Sequence, residues 1–278
     1  MIAEHGARTV AFGHWAGIAG AINGLSLMGT RLLSLGHNTP LIRVNMANGY
    51  LNSTEAMDLL KECGDEIRQG VLSDVLEPLV FTVTGSGRVA QGAAQVLNAL
   101  GVTWVAPDQL ATLDKNNSTV YATIVEPHHH LTHPNSKFSN PVVGSEAWEY
   151  FLSHNTEYKS NFAENIAPFT SMLINCLYWS PGDPKILTND QVDNLINSET
   201  RKSEFPGVPY LPQKLLVVSD ISADTNGSLE FVKSCTTMDK PFENVWPERG
   251  DSIECQLAPG LMVTSIDYLP GSGYFKLV

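Results

Sequence analysis

Residues 78–108 constrain the fold of this chain more than any other stretch. An apolar run rich in β-forming residues, 79–83, leads into a glycine cluster. A helix-favouring run, 93–100, follows and ends at Gly101, and a short second strand is predicted at 102–105. The pattern is that of a strand, a tight glycine turn, a helix and a second strand, which is a βαβ unit.

The glycine cluster consists of Gly85, Gly87 and Gly92. Glycine suits such a turn because the turn is sharp and because a side chain would hold the backbone away from a diphosphate, which binds at a helix N-terminus. Ala90 stands where a third glycine is often found. A strand-to-helix turn that needs glycine only for its backbone angles would look the same, but the flanking strands, the helix and a nearby acid favour nucleotide binding.

Composition restricts the partners of the chain. Its 278 residues suffice for one large or two ordinary domains, and a net charge of −12 argues against a nucleic-acid partner. No apolar run reaches the roughly 18 residues of a membrane helix, so no membrane partner is expected. The four cysteines are far apart without a CxxC pair, which favours reduced core thiols over disulfides or zinc ligands.

Further strands are predicted at 172–178, 214–221 and 261–266. The second is almost wholly apolar, as in a parallel strand covered on both faces. Polar residues follow these strands, at the sheet edge where open α/β sheets bind ligands. The sequence therefore predicts an α/β fold, a Rossmann-like parallel sheet with flanking helices, interrupted by an irregular insertion at about 113–165.

Two helices are predicted ahead of the glycine unit. Residues 15–35 place small side chains along one face, which would let another backbone approach closely. Asn52 is a candidate N-cap, with Glu55 placed to reciprocate.

Four histidines, His128, His129, His130 and His133, lie within the predicted insertion. Adjacent histidines do not easily face one ion, and no carboxylate or cysteine is spaced to complete a tetrahedral set, so no metal site is expected.

Several stretches together resemble a known family. They are VAFGHWAGIAG (10–20), LLSLGHNTP (32–40), VTGSGRVAQGA, EPHHHL, IAPFTSMLINCLYW (166–179), SDISADTNGSLEF (219–231) and SIDYLP (265–270). They resemble the lysine-ketoglutarate reductase part of bifunctional aminoadipic semialdehyde synthases and, more distantly, the lysine-forming saccharopine dehydrogenases of fungi. The resemblance covers nearly the whole chain.

The resemblance implies the alanine dehydrogenase type of architecture, with two Rossmann-like domains and an active site in the cleft between them. Residues 1–13 would be a remnant of the preceding substrate domain, 14–268 the NAD(P)-binding domain and 269–278 the start of the return. The acid–base lysine and histidine of the family would lie in the preceding domain. The chain is therefore expected to be a nucleotide-binding half with weak or no turnover alone.

The implied reaction is reductive condensation of L-lysine with 2-oxoglutarate to saccharopine using NADPH. The amine attacks the keto carbon, water leaves and the resulting imine accepts a hydride. In the full-length protein the partner would be a saccharopine dehydrogenase domain. The implied location is mitochondrial, with the cytoplasm as the alternative, and an oligomer is compatible with the sequence.

The resemblance also assigns roles to residues. Those expected at the cofactor are Gly85, Gly87, Arg88, Asp108, Tyr178, Ile221, Ile266, Asp267, Tyr268 and Leu269. Those expected at the substrate are Arg8, Phe12, Ser222, Ala223 and Asp224. An arginine suits a product with three carboxylates because it binds a carboxylate bidentately.

The form of the cofactor is open. An acid at the end of the second strand usually holds the ribose of NAD, and Asp108 stands near that place, displaced behind Pro107. The relatives favour NADP(H), with NAD(H) as the alternative.

Three alternatives to the reductase stay open: a non-catalytic dinucleotide-binding or regulatory module, an NAD-dependent lysine-forming saccharopine dehydrogenase, and a methyltransferase. The methyltransferase is the weakest of these alternatives, because the turns after the later strands would have no role in it.

Overall fold

The computed structural model describes residues 12–197, 206–249 and 260–265. The candidate residues Arg8, Ile266, Asp267, Tyr268 and Leu269 lie outside these ranges. The helices are α1 (Gly13–Ser34), α2 (Ser53–Ile67), α3 (Arg88–Leu100), α4 (Pro127–His130), α5 (Glu146–Ser153), α6 (Phe162–Asn165) and α7 (Asn189–Ile196). The strands are β1 (Leu79–Thr84), β2 (Thr103–Trp104), β3 (Val120–Val125), β4 (Leu131–Thr132), β5 (Lys159–Ser160), β6 (Met172–Asn175), β7 (Val217–Asp220), β8 (Glu243–Val245) and β9 (Leu261–Thr264).

Within the described residues, seven strands form one sheet in the order β2-β3-β1-β6-β7-β9-β8. All neighbouring pairs are parallel except β8 with β9. The short strands β4 and β5 form a separate antiparallel pair. The predicted fold class, a parallel α/β sheet with flanking helices, is confirmed.

Both faces of the sheet are covered, as expected for parallel strands that are apolar throughout. Phe81 and Val83 of β1 belong to the core that α1, α2 and α3 cover. Val80, the residue before Phe81, belongs to the opposite core with Val192 and Ile196 of α7. All six residues of β1 are buried, so this strand lies in the interior between the two cores.

Helices α1 and α3 touch backbone to backbone. A Cβ added at Gly17 would lie 1.9 Å from the Val89 carbonyl oxygen, and one added at Gly92 would lie 2.0 Å from the His14 carbonyl oxygen. The small face predicted for α1 is therefore a helix-packing face. Gly92 serves this packing, which accounts for its position two residues beyond the usual third glycine.

The predicted cap of α2 is present with one difference. The Asn52 side chain accepts a hydrogen bond from the Glu55 N–H at 3.0 Å. The Glu55 carboxylate reaches the N–H of Leu51 at 2.8 Å rather than that of Asn52. The cap fixes the start of a helix whose buried face packs under α3.

One central strand lies where the sequence predicts an irregular insertion. Strand β3 pairs with β1 over its whole length, from Leu79 opposite Val120 to Thr84 opposite Val125. The predicted second strand, β2, pairs with the outer side of β3 and does not touch β1 in the sheet order. Among the described residues, no helix is both long and apolar enough to span a bilayer.

Candidate functional site at the carboxyl edge of the sheet

The chain changes direction on the two sides of β1. After β1 it enters α3, which covers one face of the sheet, whereas after β6 it reaches α7, which covers the other. Strands β1 and β6 are parallel neighbours, so a crevice is expected between the two outgoing connections. Ligands of open α/β sheets bind at such a switch point, outside the carboxyl ends of the strands.

The turn after β1 begins at Gly85. This residue has a φ of 81°, in the left-handed region that favours glycine. Its N–H donates to the Val125 carbonyl oxygen at 2.8 Å, which continues the ladder between β1 and β3 by one residue. A Cβ at Gly85 would contact Leu177 at 3.4 Å and the Cys176 carbonyl oxygen at 3.5 Å. The first glycine is thus required by the fold.

Gly87 is different, because the fold gives no reason for a glycine there. Its φ is −72°, which any residue adopts, and a Cβ would have no described atom within 4 Å. Gly87 is exposed at the N-cap of α3, where free N–H groups point outward. The first turn of α3, from Arg88 to Gln91, carries no acidic residue. Open space, a helix N-terminus and an exposed arginine fit the diphosphate of a dinucleotide.

A buried polar network joins three strands directly behind this crevice. The Thr84 hydroxyl donates to the Asn175 amide oxygen at 2.7 Å, and the Asn175 amide nitrogen donates to Asp220 at 2.9 Å. The same nitrogen lies 2.9 Å from the Ser228 hydroxyl and 3.3 Å from the Ser222 hydroxyl. The network therefore fixes the relative positions of the turns that follow β1, β6 and β7.

Asp220 is the ionisable member of that network. It is almost completely buried, and burial raises the pKa of its carboxyl group, although hydrogen bonds from Ser222 and Asn175 oppose the rise. Ser222 donates to Asp220 at 2.7 Å. A carboxyl group held in this way orders the turn that begins at Ile221.

The turn after β7 carries the predicted substrate residues. Ala223 has a φ of 52°, an unusual conformation for a residue with a side chain. Asp224 is exposed at the edge, yet partial burial raises the pKa of its carboxyl group. The Ile221 side chain packs against α1, where a Cβ at Gly20 would lie 2.5 Å from it.

The remaining predicted residues lie at different distances from the glycine turn along the edge. Tyr178, three residues beyond β6, is 88% exposed. Phe12 is 57% exposed and precedes Gly13, whose added Cβ would lie 3.6 Å from the Arg88 Cβ atom. Asp108 is exposed in the turn after β2 and is separated from the glycine strand by β3.

The histidines make protein contacts instead of converging on one point. The ring of His130 is buried, its Nδ1 atom is 3.0 Å from the Ser160 hydroxyl, and burial lowers its pKa to about 4. The His133 Nε2 atom is 3.1 Å from the Glu157 carboxylate. Across the described residues, no three histidine, cysteine, aspartate or glutamate side chains are grouped to hold a metal ion.

Sequence reasoning assigned no role to Thr84, Asn175 or Asp220. One local signal was present: Asp220 follows an apolar run and ends a strand, where an acid without a partner would be costly to bury. The links from Asn175 to Asp220 and to Thr84 could not be identified from sequence because these residues are 45 and 91 positions apart.

A mostly parallel sheet with a glycine turn, an open helix N-terminus and a switch point defines the Rossmann-like class of α/β proteins. The comparisons with known proteins narrow this class. The chain is 40% identical to the mitochondrial alpha-aminoadipic semialdehyde synthase of Rattus norvegicus over 277 residues. This alignment covers 97% of the chain and 29% of the rat protein. It is 31% identical over 283 residues to alpha-aminoadipic semialdehyde synthase of Arabidopsis thaliana, covering 97% and 25%. The chain is a homologue of one segment of these synthases, and it spans less than a third of their length.

Two more distant similarities were found. The lysine-forming, NAD(+)-dependent saccharopine dehydrogenase of Yarrowia lipolytica is 25% identical over 271 residues, covering 96% of the chain and 53% of that protein. An L-alanine dehydrogenase structure aligns with a TM-score of 0.31 and 15% sequence identity. The alignment covers 91% of this chain and 49% of the dehydrogenase chain, and the similarity is too low to bear on function. No protein-family model matches the chain.

Proposed function

We propose that this chain is the dinucleotide-binding part of an oxidoreductase of lysine degradation, one that condenses L-lysine with 2-oxoglutarate to saccharopine. The observation that carries the proposal is the 40% identity to a semialdehyde synthase over 97% of the chain, a span that includes the glycine turn and the edge of the sheet. The names of the relatives concern semialdehyde and saccharopine chemistry, and the carboxyl edge of the sheet fits the cofactor that a dehydrogenase needs.

The cofactor would be held mainly by backbone. The turn from Gly85 to Gly87 lets the diphosphate approach the N–H groups at the start of α3, and Arg88 supplies a positive charge there. Tyr178 and Ile221 would lie further along the edge, toward the nicotinamide. When bound, the cofactor supplies the hydride that reduces the imine between the two substrates.

The substrate would lie over the turn after β7. Ser222, Ala223 and Asp224 would face it together with Phe12, and the network behind Asp220 would keep that turn in place. The acid–base lysine and histidine are proposed to come from a preceding domain. The assignment of residues 14–268 to the NAD(P)-binding domain, with 1–13 and 269–278 belonging to the substrate domain, is part of the same proposal.

The resemblance favours NADP(H), with NAD(H) as the alternative, and the form that binds depends on the residue that meets the adenosine ribose. A mitochondrial location follows by analogy with the mammalian relatives, which are named mitochondrial. A saccharopine dehydrogenase domain would be the partner in a full-length protein.

The proposal is tested by titrating the folded chain with NADH and with NADPH, following energy transfer from its five tryptophans to the reduced nicotinamide. Saturable binding of either form is expected. Adding lysine and 2-oxoglutarate to the complex should then change cofactor affinity, whereas glutamate as a control should not. A folded chain that binds neither form would refute the proposal.

A second function remains the alternative to the reductase. A non-catalytic dinucleotide-binding or regulatory module would bind the cofactor without turnover. Oxidation of NADH or NADPH that depends on both substrates, at rates near those of a complete enzyme, would exclude that alternative.

A further inference from the structure

The strand order changes which acidic residue lies beside the glycine turn. In this sheet β3, not β2, is the neighbour of β1. The register places Val125 opposite Thr84, and the Gly85 N–H donates to the Val125 carbonyl oxygen at 2.8 Å. Glu126 is the next residue, so it leaves the sheet directly beside the first glycine of the turn.

Asp108 lies one strand farther away. Strand β2 pairs with the outer side of β3, and its last registered pair is Trp104 with Ala122. Ala122 is itself opposite Phe81, three residues before the end of β1. The chain then enters the 3-10 turn Pro107–Thr112, in which Asp108 is exposed. Asp108 follows β2, the second strand in sequence, but the strand that lies beside the glycine strand β1 is β3.

A dinucleotide whose diphosphate lies at the N-terminus of α3 extends its adenosine ribose over the strand beside the glycine strand. A carboxylate at the end of that strand accepts hydrogen bonds from the ribose hydroxyls and repels a 2′-phosphate. We propose that Glu126, and not Asp108, is this carboxylate, and that it makes the chain prefer NAD(H) to NADP(H). The inference rests on the proposed dinucleotide site and departs from the NADP(H) expectation drawn from the resemblance.

The surroundings of Glu126 support the assignment. Its N–H donates to the His129 Nδ1 atom at 3.0 Å, and its carbonyl oxygen accepts from the His129 N–H at 2.9 Å. Pro127 follows and restricts the backbone conformation of the residue before it, so the backbone of the half-buried Glu126 is held in place. Burial, and secondarily His128, lowers the pKa of His129, although Glu126 and Asp108 oppose the effect. A neutral His129 offers no positive charge to a 2′-phosphate.

The test compares two matched carboxylate-to-amide variants, Glu126→Gln and Asp108→Asn, by titrating each with NADH and NADPH. The wild-type chain should bind NADH more tightly. Glu126→Gln should shrink the NADH-to-NADPH affinity ratio by about tenfold, because hydrogen bonds to a charged group are lost and the repulsion of the phosphate is removed. Asp108→Asn should change the ratio by less than about twofold, as expected for a surface charge one strand away.

Three further variants make the test decisive. Glu126→Arg should reverse the preference, and Glu126→Ser serves if the larger substitution does not fold, as judged by circular dichroism. Arg88→Gln should weaken both cofactors by a similar factor, because it is assigned to the shared diphosphate. A wild-type preference for NADPH, or a ratio that moves with Asp108→Asn and not with Glu126→Gln, would overturn the inference while leaving dinucleotide binding intact. Binding of neither cofactor by the folded chain would instead refute the proposed function and this inference with it.

Discussion

The Thr84 hydroxyl donates to the Asn175 amide oxygen at 2.7 Å, which joins the last residues of β1 and β6 across the switch point. The same hydroxyl oxygen accepts the Cys176 N–H at 3.1 Å. One side chain therefore determines where the two connections leave the sheet. Its loss should affect both the stability of the fold and the shape of the crevice.

We expect Thr84→Val to lower the free energy of unfolding by about 1–3 kcal/mol, because it leaves buried polar groups without partners. Thr82→Val is the matched control: it lies in the same strand, and its hydroxyl is 2.7 Å from that of Thr170. Urea unfolding should show similar losses for both variants, and cofactor titration should show weaker binding only for Thr84→Val. Equal cofactor affinities would contradict the role assigned to Thr84 at the crevice.

Gly17→Ala should destabilise the chain by about 1–3 kcal/mol or more, because the new Cβ would lie 1.9 Å from the Val89 backbone oxygen and α1 would have to move away from α3. Gly13→Ala in the same helix is the control, since its Cβ would meet a side-chain atom at 3.4 Å. That control should be neutral or gain up to about 1 kcal/mol of helix propensity. A Gly17→Ala variant as stable as wild type would show that the two helices are not packed this closely.

Gly87→Asp should separate stability from binding. Aspartate is a favoured N-cap residue and the site has room for its side chain, so the melting temperature should stay the same or rise slightly. The added negative charge would stand where the diphosphate binds, so the affinity for NADH and NADPH should fall by at least about tenfold. Gly87→Asn, which caps without the charge, should lose less affinity. Unchanged binding by Gly87→Asp would place the diphosphate elsewhere.

His130 should make the free energy of unfolding depend on pH in the acidic range. Burial lowers its folded-state pKa from 6.5 to about 4, so the unfolded chain takes up the proton first as the pH falls. The stabilisation is present above about pH 6.5 and is lost between there and about pH 4, a change on the order of 3 kcal/mol. His130→Asn removes the titrating group and keeps an amide near Ser160. Unfolding free energies measured across this interval should fall more steeply for wild type than for the variant, and parallel curves would contradict the prediction.

Local patterns determined much of the fold. The apolar runs behind β1, β6 and β7 were identified because continuous β-branched and aliphatic residues bounded by glycine or polar residues are typical of buried parallel strands. The predicted ends of β6 and β7 extended too far because an apolar run continues beyond the last paired residue, as at Ile221. Strand β3 was not identified because its place beside β1 is set by pairing between distant segments.

The same division holds at the site. The glycine turn could be predicted because it is a local conformation, and Gly85 indeed has a positive φ. The link from Asn175 to Asp220 could not be predicted, since only the parallel register brings the two side chains together. The role that we propose for Glu126 in place of Asp108 has the same origin, because sequence order and spatial order differ for β2 and β3.

The interposed strand has a consequence for synthesis and refolding. Strand β1 is complete at residue 84, but its two neighbours end only at residues 125 and 175. Strand β2, the nearest candidate in sequence, has no place to pair until β3 arrives. Strand β1, which is buried along its whole length in the folded chain, therefore emerges with both edges open, and open edges template association between chains. Recovery after denaturation will thus depend on how fast β3 reaches its place, and substitutions there should reduce yield more than they reduce final stability.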